Sequence, residues 1–158
     1  MEYSKNFYQI KSNSEIFEKV KDEREHIGYY SLPYQDVSAI HEYAKSINQK
    51  HIVVVGIGGS TLGTRAIYDF LLPANSYDKE LFFLESVDPL TLNHLLEKIN
   101  LVDAHFVVIS KSGSTIEMNS IFKYLNSQTP INNTNCTVIS GVKSKLTKFA
   151  IQQNIKVF

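Results

Sequence analysis

The spacing of apolar residues changes once along this chain, near residue 51. Before that point the pattern is helical. Ile16, Phe17 and Val20 fall on one side of a stretch whose other side carries Glu18, Lys19 and Lys21. That is an amphipathic helix, with Ser14 as its cap and Gly28 as its stop. Val37, Ile40, Ala44 and Ile47 repeat the spacing in a second helix that Pro33 or Asp36 opens. His41 lies beside this stripe and reads as a helix-surface histidine. After residue 51 short apolar runs rich in Val, Ile and Phe alternate with helical segments. The runs are His51–Gly56, Leu81–Ser86, His105–Ser110, Cys136–Gly141 and a last short Ile155–Phe158. Between them the spacing predicts helices over roughly 60–72, 89–99, 115–126 and 144–154.

Strands that are apolar throughout, each followed by a helix, predict a parallel sheet covered on both faces. The fold class is therefore α/β: a three-layer sandwich around a five-stranded parallel sheet, preceded by two helices. Residues 1–50 form the helical lead-in and 51–158 the sheet domain. Ser127–Asn135, with Pro130 and several asparagines and glutamines, reads as a surface loop. Open α/β sheets bind ligands beyond the carboxyl ends of their strands, at the switch in strand order. The loops to inspect therefore begin at Gly56, Ser86, Ser110 and Gly141.

Composition narrows the choice. The chain has 158 residues, 43% apolar and 20% charged, which fits one globular domain. Sixteen basic residues balance sixteen acidic ones. A neutral chain offers no general electrostatic footprint for nucleic acid or an anionic membrane, so any anion must be held locally by a few directed donors. The single cysteine, Cys136, excludes an internal disulfide, gives no metal cluster, and sits in an apolar run as a core residue. Met1–Lys5 lacks an apolar signal region. No apolar run approaches the ~20 residues that span a bilayer. The expected location is the cytoplasm.

Two loops carry candidate chemistry. The first, Gly56-Ile57-Gly58-Gly59-Ser60-Thr61-Leu62-Gly63, joins a buried strand to a helix. Its glycines let the backbone approach a ligand, and the N–H groups of the helix start favour oxygen-rich or anionic groups. A dinucleotide fingerprint fits at Gly56 and Gly58 but meets Thr61 at its third position, although Glu85 ends the next strand where an acid would meet a ribose. A P-loop fits at Gly58 and Gly63 but no lysine follows. A tight turn with no ligand is the remaining alternative. The second loop, Ser110-Lys111-Ser112-Gly113-Ser114-Thr115-Ile116-Glu117, weakens that alternative. Its hydroxyls, lysine and free N–H groups can surround a phosphate, and the helix dipole adds to the attraction. Ser114 with Glu117 also fits a capping box. A cap does not account for Ser110, Lys111 and Ser112.

GIGGSTLG followed by SKSGSTIE resembles the glucose-6-phosphate isomerase (phosphoglucose isomerase) family, within the wider sugar-isomerase (SIS) class with its flavodoxin-like sheet. The match runs from His51 to Phe158. It implies that Gly59 and Ser60 lie against sugar hydroxyls. It implies that Ser110, Lys111, Ser112 and Thr115 hold the 6-phosphate, and that Glu117 supports the ring-opening histidine. Met118 departs from the threonine common in the family. The implied activity is interconversion of glucose 6-phosphate and fructose 6-phosphate through an enediolate. No cofactor or metal is implied, and the full-length family enzyme is a homodimer.

Aldose–ketose isomerisation needs a base, a ring-opening acid and charge to stabilise the enediolate. The sequence offers no such pair at the right edge of the sheet. His51 and His105 begin strands, His26, His41 and His94 fall on or beside helices, and Asp88 reads as the cap of the helix at Pro89. The resemblance implies that the base glutamate, the histidine, a lysine and a glycine-glycine-arginine motif lie further downstream. The chain is therefore expected to be an amino-terminal part of a longer enzyme and inactive alone. Two alternatives stay open: a non-catalytic SIS-domain sensor of sugar phosphates, and another SIS-domain isomerase.

Overall fold

A computed structural model describes residues 14–74 and 76–158. The first part of the expected lead-in, residues 1–13, and Met1–Lys5 within it, lie outside the described residues. The chain divides into two units, Met1–His41 and Glu42–Phe158. The first holds helix α1 (Ser14–Asp22), short 3-10 turns over Glu23–Glu25 and Gly28–Tyr34, and the start of α2 (Ser38–Ser46). Helix α1 ends before Gly28, because after Val20 the chain has no apolar residue to extend the stripe through Lys21-Asp22-Glu23-Arg24. Pro33 lies inside the second 3-10 turn, while Asp36 accepts from Ser38 N at 2.9 Å as α2 begins.

The second unit is the predicted α/β layer structure. Its strands are β1 (His51–Val55), β2 (Glu80–Leu84), β3 (Ala104–Ser110), β4 (Cys136–Ser140) and β5 (Lys156–Val157). All pairs are parallel and the order is β2-β1-β3-β4-β5. Helices α3 (Leu62–Leu71), α4 (Pro89–Leu96), α5 (Ile116–Gln128) and α6 (Lys145–Gln152) connect them. β-branched and aromatic residues fill the strands because they pack well on a pleated surface. The loop read at Ser127–Asn135 begins slightly later than expected, since α5 continues to Gln128.

Alternation along each strand sorts the two faces. Val53, Val55, Phe82, Leu84, Phe106, Val108, Cys136 and Val138 form one face and join Leu92, Met118, Ile121, Leu125, Leu146 and Ala150 of α4, α5 and α6 in a single core. Each large side chain so buried contributes about 1.5–3 kcal/mol. Burial raises the Cys136 thiol to about 12, in keeping with a core residue rather than a nucleophile. The opposite face is covered less evenly than the sequence predicts. Tyr68 of α3 packs on Phe83, and its hydroxyl accepts from Leu81 N at 3.4 Å. Tyr43 bonds Thr137 of β4 at 2.9 Å. Ile139 stays 40% exposed.

Candidate functional site

The strand order reverses between β1 and β3. The chain leaves β1 for β2 on one side and returns to β3 on the other. The two loops singled out in the sequence, Gly56–Thr61 and Ser110–Thr115, are the ones that follow these adjacent strands. Helix α5 packs against both β1 and β3, so its amino terminus opens at this switch.

A contrast among the four helices that follow strands marks the same place. Asp88 caps α4 by accepting from Thr91 N at 2.8 Å and from the Thr91 hydroxyl at 2.6 Å, which holds its carboxyl below the usual range. Ser144 caps α6 by accepting from Thr147 N at 2.9 Å. Thr61 and Thr115, the caps of α3 and α5, make no side-chain cap bond. The two helices at the switch therefore keep their first N–H groups free of their own cap residues, and those beside it do not.

The capping box read at Ser114 and Glu117 is not formed. The helix cap is Thr115, and Ser114 belongs to a turn centred on Ser112. Ser112 Oγ accepts from Ser114 N at 3.2 Å and from the Ser114 hydroxyl at 3.1 Å. The cause is Gly113, whose φ of +65° swings the chain before the helix begins.

Within this loop the predicted residues occupy different settings. Ser110 is buried at 2% exposure, and its hydroxyl accepts from Gly113 N at 3.1 Å and lies 3.2 Å from Thr115 Oγ1. Lys111 and Ser112 are exposed, Thr115 is half-buried, and Glu117 is exposed in the first turn of α5. In the glycine loop, Gly59 is exposed with open space where a Cβ would stand, Ser60 is half-buried, and Gly58 has φ +56°. A Cβ at Gly56 would stand 2.9 Å from Thr61 Cγ2 and 3.3 Å from Ile109 O, and the pairing of β1 with β3 sets the two loops side by side. His105 and His51 sit at the opposite end of the strands, as expected.

Several residues brace these loops without any local sequence motif to mark them. Ser140 Oγ donates to Ser110 O at 2.5 Å and lies 2.7 Å from Ser144 Oγ. Gly141 N donates to Lys111 O at 3.2 Å. The hydroxyl loop thus rests on the β4–α6 turn. None of these bracing residues belongs to a loop motif; Ser144 alone stands out in the sequence, as an N-cap residue type at the start of the helix expected over 144–154. Glu85 is tied up as well. Oε1 accepts from the Thr61 hydroxyl and Oε2 from Arg65 at 2.6 Å, so this carboxylate is not free to meet a ribose. No group of three or more metal-ligating side chains occurs among the described residues, and no described helix is long and apolar enough to cross a membrane.

The family model for phosphoglucose isomerase matches residues 14–155. The chain belongs to the phosphoglucose isomerase family. It is 43% identical over 103 residues to glucose-6-phosphate isomerase of Campylobacter jejuni, a match that covers 63% of this chain and 25% of that protein. It is 33% identical over 91 residues to the Methanocaldococcus jannaschii protein of the same name, covering 58% and 21%. The matched stretches span a quarter or less of these relatives. Among solved structures, a hypothetical protein from Thermus thermophilus superposes over 92% of this chain and 37% of its own, with a TM-score of 0.77 at 24% identity, and so shares the fold. A glucose-6-phosphate isomerase from Chlamydia trachomatis superposes over 77% of this chain and 24% of its own, with a TM-score of 0.64 at 25% identity. As a phosphoglucose isomerase family domain, the chain presents its glycine loop and its hydroxyl loop together at the sheet's switch point.

Proposed function

We propose that this chain is the sugar-phosphate-binding part of an isomerase that interconverts glucose 6-phosphate and fructose 6-phosphate. The carrying observation is the uncapped pair of helix starts behind the glycine and hydroxyl loops, in a member of this family. Free N–H groups at the start of α5 offer directed donors to phosphate oxygens, and the helix dipole favours their charge. The exposed Lys111 supplies a point charge, and Ser112 and Thr115 supply hydroxyls. Ser110, whose hydroxyl accepts from Gly113 N, both shapes the turn and keeps its own proton to share with Thr115 or a phosphate oxygen. Gly59 and Ser60 meet the sugar: the open space at Gly59 admits a ring where a side chain would stand. Glu117, in the first turn of α5, supports the histidine that opens the ring.

The chemistry of isomerisation is a proton transfer from C2 to C1 through an enediolate. It needs a base and a ring-opening acid within hydrogen-bond reach of the bound sugar. We assign these groups to the portion of the family enzyme that this chain does not span, and expect the chain alone to bind without turnover. The assembled enzyme would be a cytoplasmic homodimer needing no cofactor.

Thermal unfolding with fructose 6-phosphate, free fructose and inorganic phosphate tests the binding reading. A hundredfold excess of ligand over its dissociation constant stabilises by about 2.7 kcal/mol. A shift with the sugar phosphate and none with fructose is expected, and no shift with either phosphate compound contradicts the site. Thr115→Ala should weaken sugar-phosphate binding by about 0.5–1.5 kcal/mol, the worth of one hydrogen bond. Gly59→Val should fill the open space and block the sugar while leaving inorganic phosphate bound. Unchanged sugar-phosphate affinity in both variants, read by calorimetry, means the pocket lies elsewhere.

A further inference from the structure

Glu85 has no part in the function proposed above, yet both oxygens of its carboxylate are committed at the edge of the site. It stands just past β2 with its side chain 21% exposed. The Thr61 hydroxyl and the Arg65 guanidinium converge on it from the end of the glycine loop and the first turn of α3. Thr61 is fully buried and closes the loop, its N–H donating to Gly58 O at 3.0 Å. The Thr61 hydroxyl also lies 3.3 Å from Gly58 O. A hydroxyl has one proton, and the charged carboxylate is the stronger acceptor, so the proton goes to Glu85.

Two backbone bonds coil the loop, Ser60 N to Ile57 O at 3.2 Å and Thr61 N to Gly58 O at 3.0 Å, but its glycines bring no side chain to hold it. Gly58 takes φ +56°, and neither Gly58 nor Gly59 has anything within 4 Å of where a Cβ would stand. A glycine-rich segment loses more conformational freedom on ordering than any other, so an external clamp matters most here. The clamp also ties the loop to the sheet, because Gly56 N bonds Leu84 O at 3.4 Å, one residue before Glu85.

We propose that Glu85 is a positioning residue which, through Thr61 and Arg65, holds Gly58–Ser60 in the shape that receives the sugar. This rests on the sugar-phosphate reading and divides it: the clamp serves the sugar end of the ligand, while the hydroxyl loop holds the phosphate end without it. The test is an amide NMR titration of the full chain with fructose 6-phosphate and, separately, inorganic phosphate. In the parent, the sugar phosphate should shift Gly58–Ser60 and Ser112–Thr115, and inorganic phosphate only the second group. Glu85→Gln should lower fructose 6-phosphate affinity about five- to tenfold, as expected when a charged hydrogen bond becomes a neutral one, and leave inorganic phosphate within about twofold. Arg65→Met removes only the outer arm of the clamp at a half-exposed position, so it reads the same effect at about two- to threefold if the first variant fails to fold. Equal loss of both ligands would make Glu85 a general support of the fold, and no loss in either variant would remove its role; each overturns the proposal. A parent that binds neither ligand overturns the sugar-phosphate reading itself, and the inference with it.

Discussion

Replacing Gly113 with alanine should destabilise the sheet domain by about 3 kcal/mol and abolish phosphate binding. Two costs add. Gly113 has φ +65°, a left-handed conformation that costs a residue with a Cβ about 1–2 kcal/mol. The new Cβ would stand 2.7 Å from Leu146 N and 2.8 Å from Ser144 Oγ. Backbone cannot yield as a flexible side chain can, and such overpacking costs about 1–3 kcal/mol. Ser144 is also the cap of α6, so moving it loosens the Thr147 bond and the contact with Ser140 that steadies Ser110. The melting temperature should fall by about 10 °C, given ~2–4 °C per kcal/mol at this size. Gly59→Ala is the matched control: its Cβ meets nothing within 4 Å, and stability should hardly change. Thermal and urea unfolding of both variants decide the matter. A Gly113→Ala loss below about 1 kcal/mol would mean that the turn relaxes, and that the hydroxyl loop is less rigidly built than these contacts require.

The fold was legible because its signals are local. Short apolar runs rich in β-branched residues, such as His51–Val55 and Ala104–Ser110, match strands buried on both faces by length and composition, and the helices between them favour parallel pairing. The candidate site was legible for the same reason: both loops are contiguous in sequence, and the switch-point rule places them side by side. What the sequence concealed depends on pairs distant along the chain. Glu85 reaches back to Thr61, Ser140 reaches Ser110 across neighbouring strands, and Gly113 packs against Leu146; no local pattern announces these partners. The false capping box has the same origin. Ser114 and Glu117 have the right spacing, but the positive φ of Gly113 commits Ser114 to Ser112 before the helix starts. The position of His105 at the start of its strand follows from the apolar run, while the polar pair it forms with Thr137 joins two strands and has no local signal.

That pair leads to an acid-sensitivity that belongs to the fold rather than the site. His105 is 2% exposed, and its Nε2 lies 2.8 Å from Thr137 Oγ1, which also bonds the Tyr43 hydroxyl at 2.9 Å. Nδ1 has no hydrogen-bond partner among the described residues. A bare acceptor is less costly to bury than a bare donor with a charge, so the neutral ring with its proton on Nε2, donating to Thr137, fits this setting. Burial first, and the nearby Lys79 charge second, lower the ring's pKa from 6.5 to about 4. The folded state therefore refuses a proton that the unfolded chain accepts. Above pH 6.5 neither state binds it and the domain has its full stability. As the pH falls from 6.5 toward 4, the unfolded state gains the proton alone and stability drops by about 1.4 kcal/mol per pH unit, about 3 kcal/mol in all. His105→Gln keeps a donor for Thr137 but cannot titrate, so it should be less stable than the parent near neutral pH yet lose less on acidification. Carboxylates titrate in both proteins, and the difference between the two urea-denaturation curves, from about pH 4 to about pH 7.5, isolates the histidine. Parallel curves would show that His105 accepts its proton in the folded state, which requires that Nδ1 find a partner or that the α2 end bearing Tyr43 swing away and admit water.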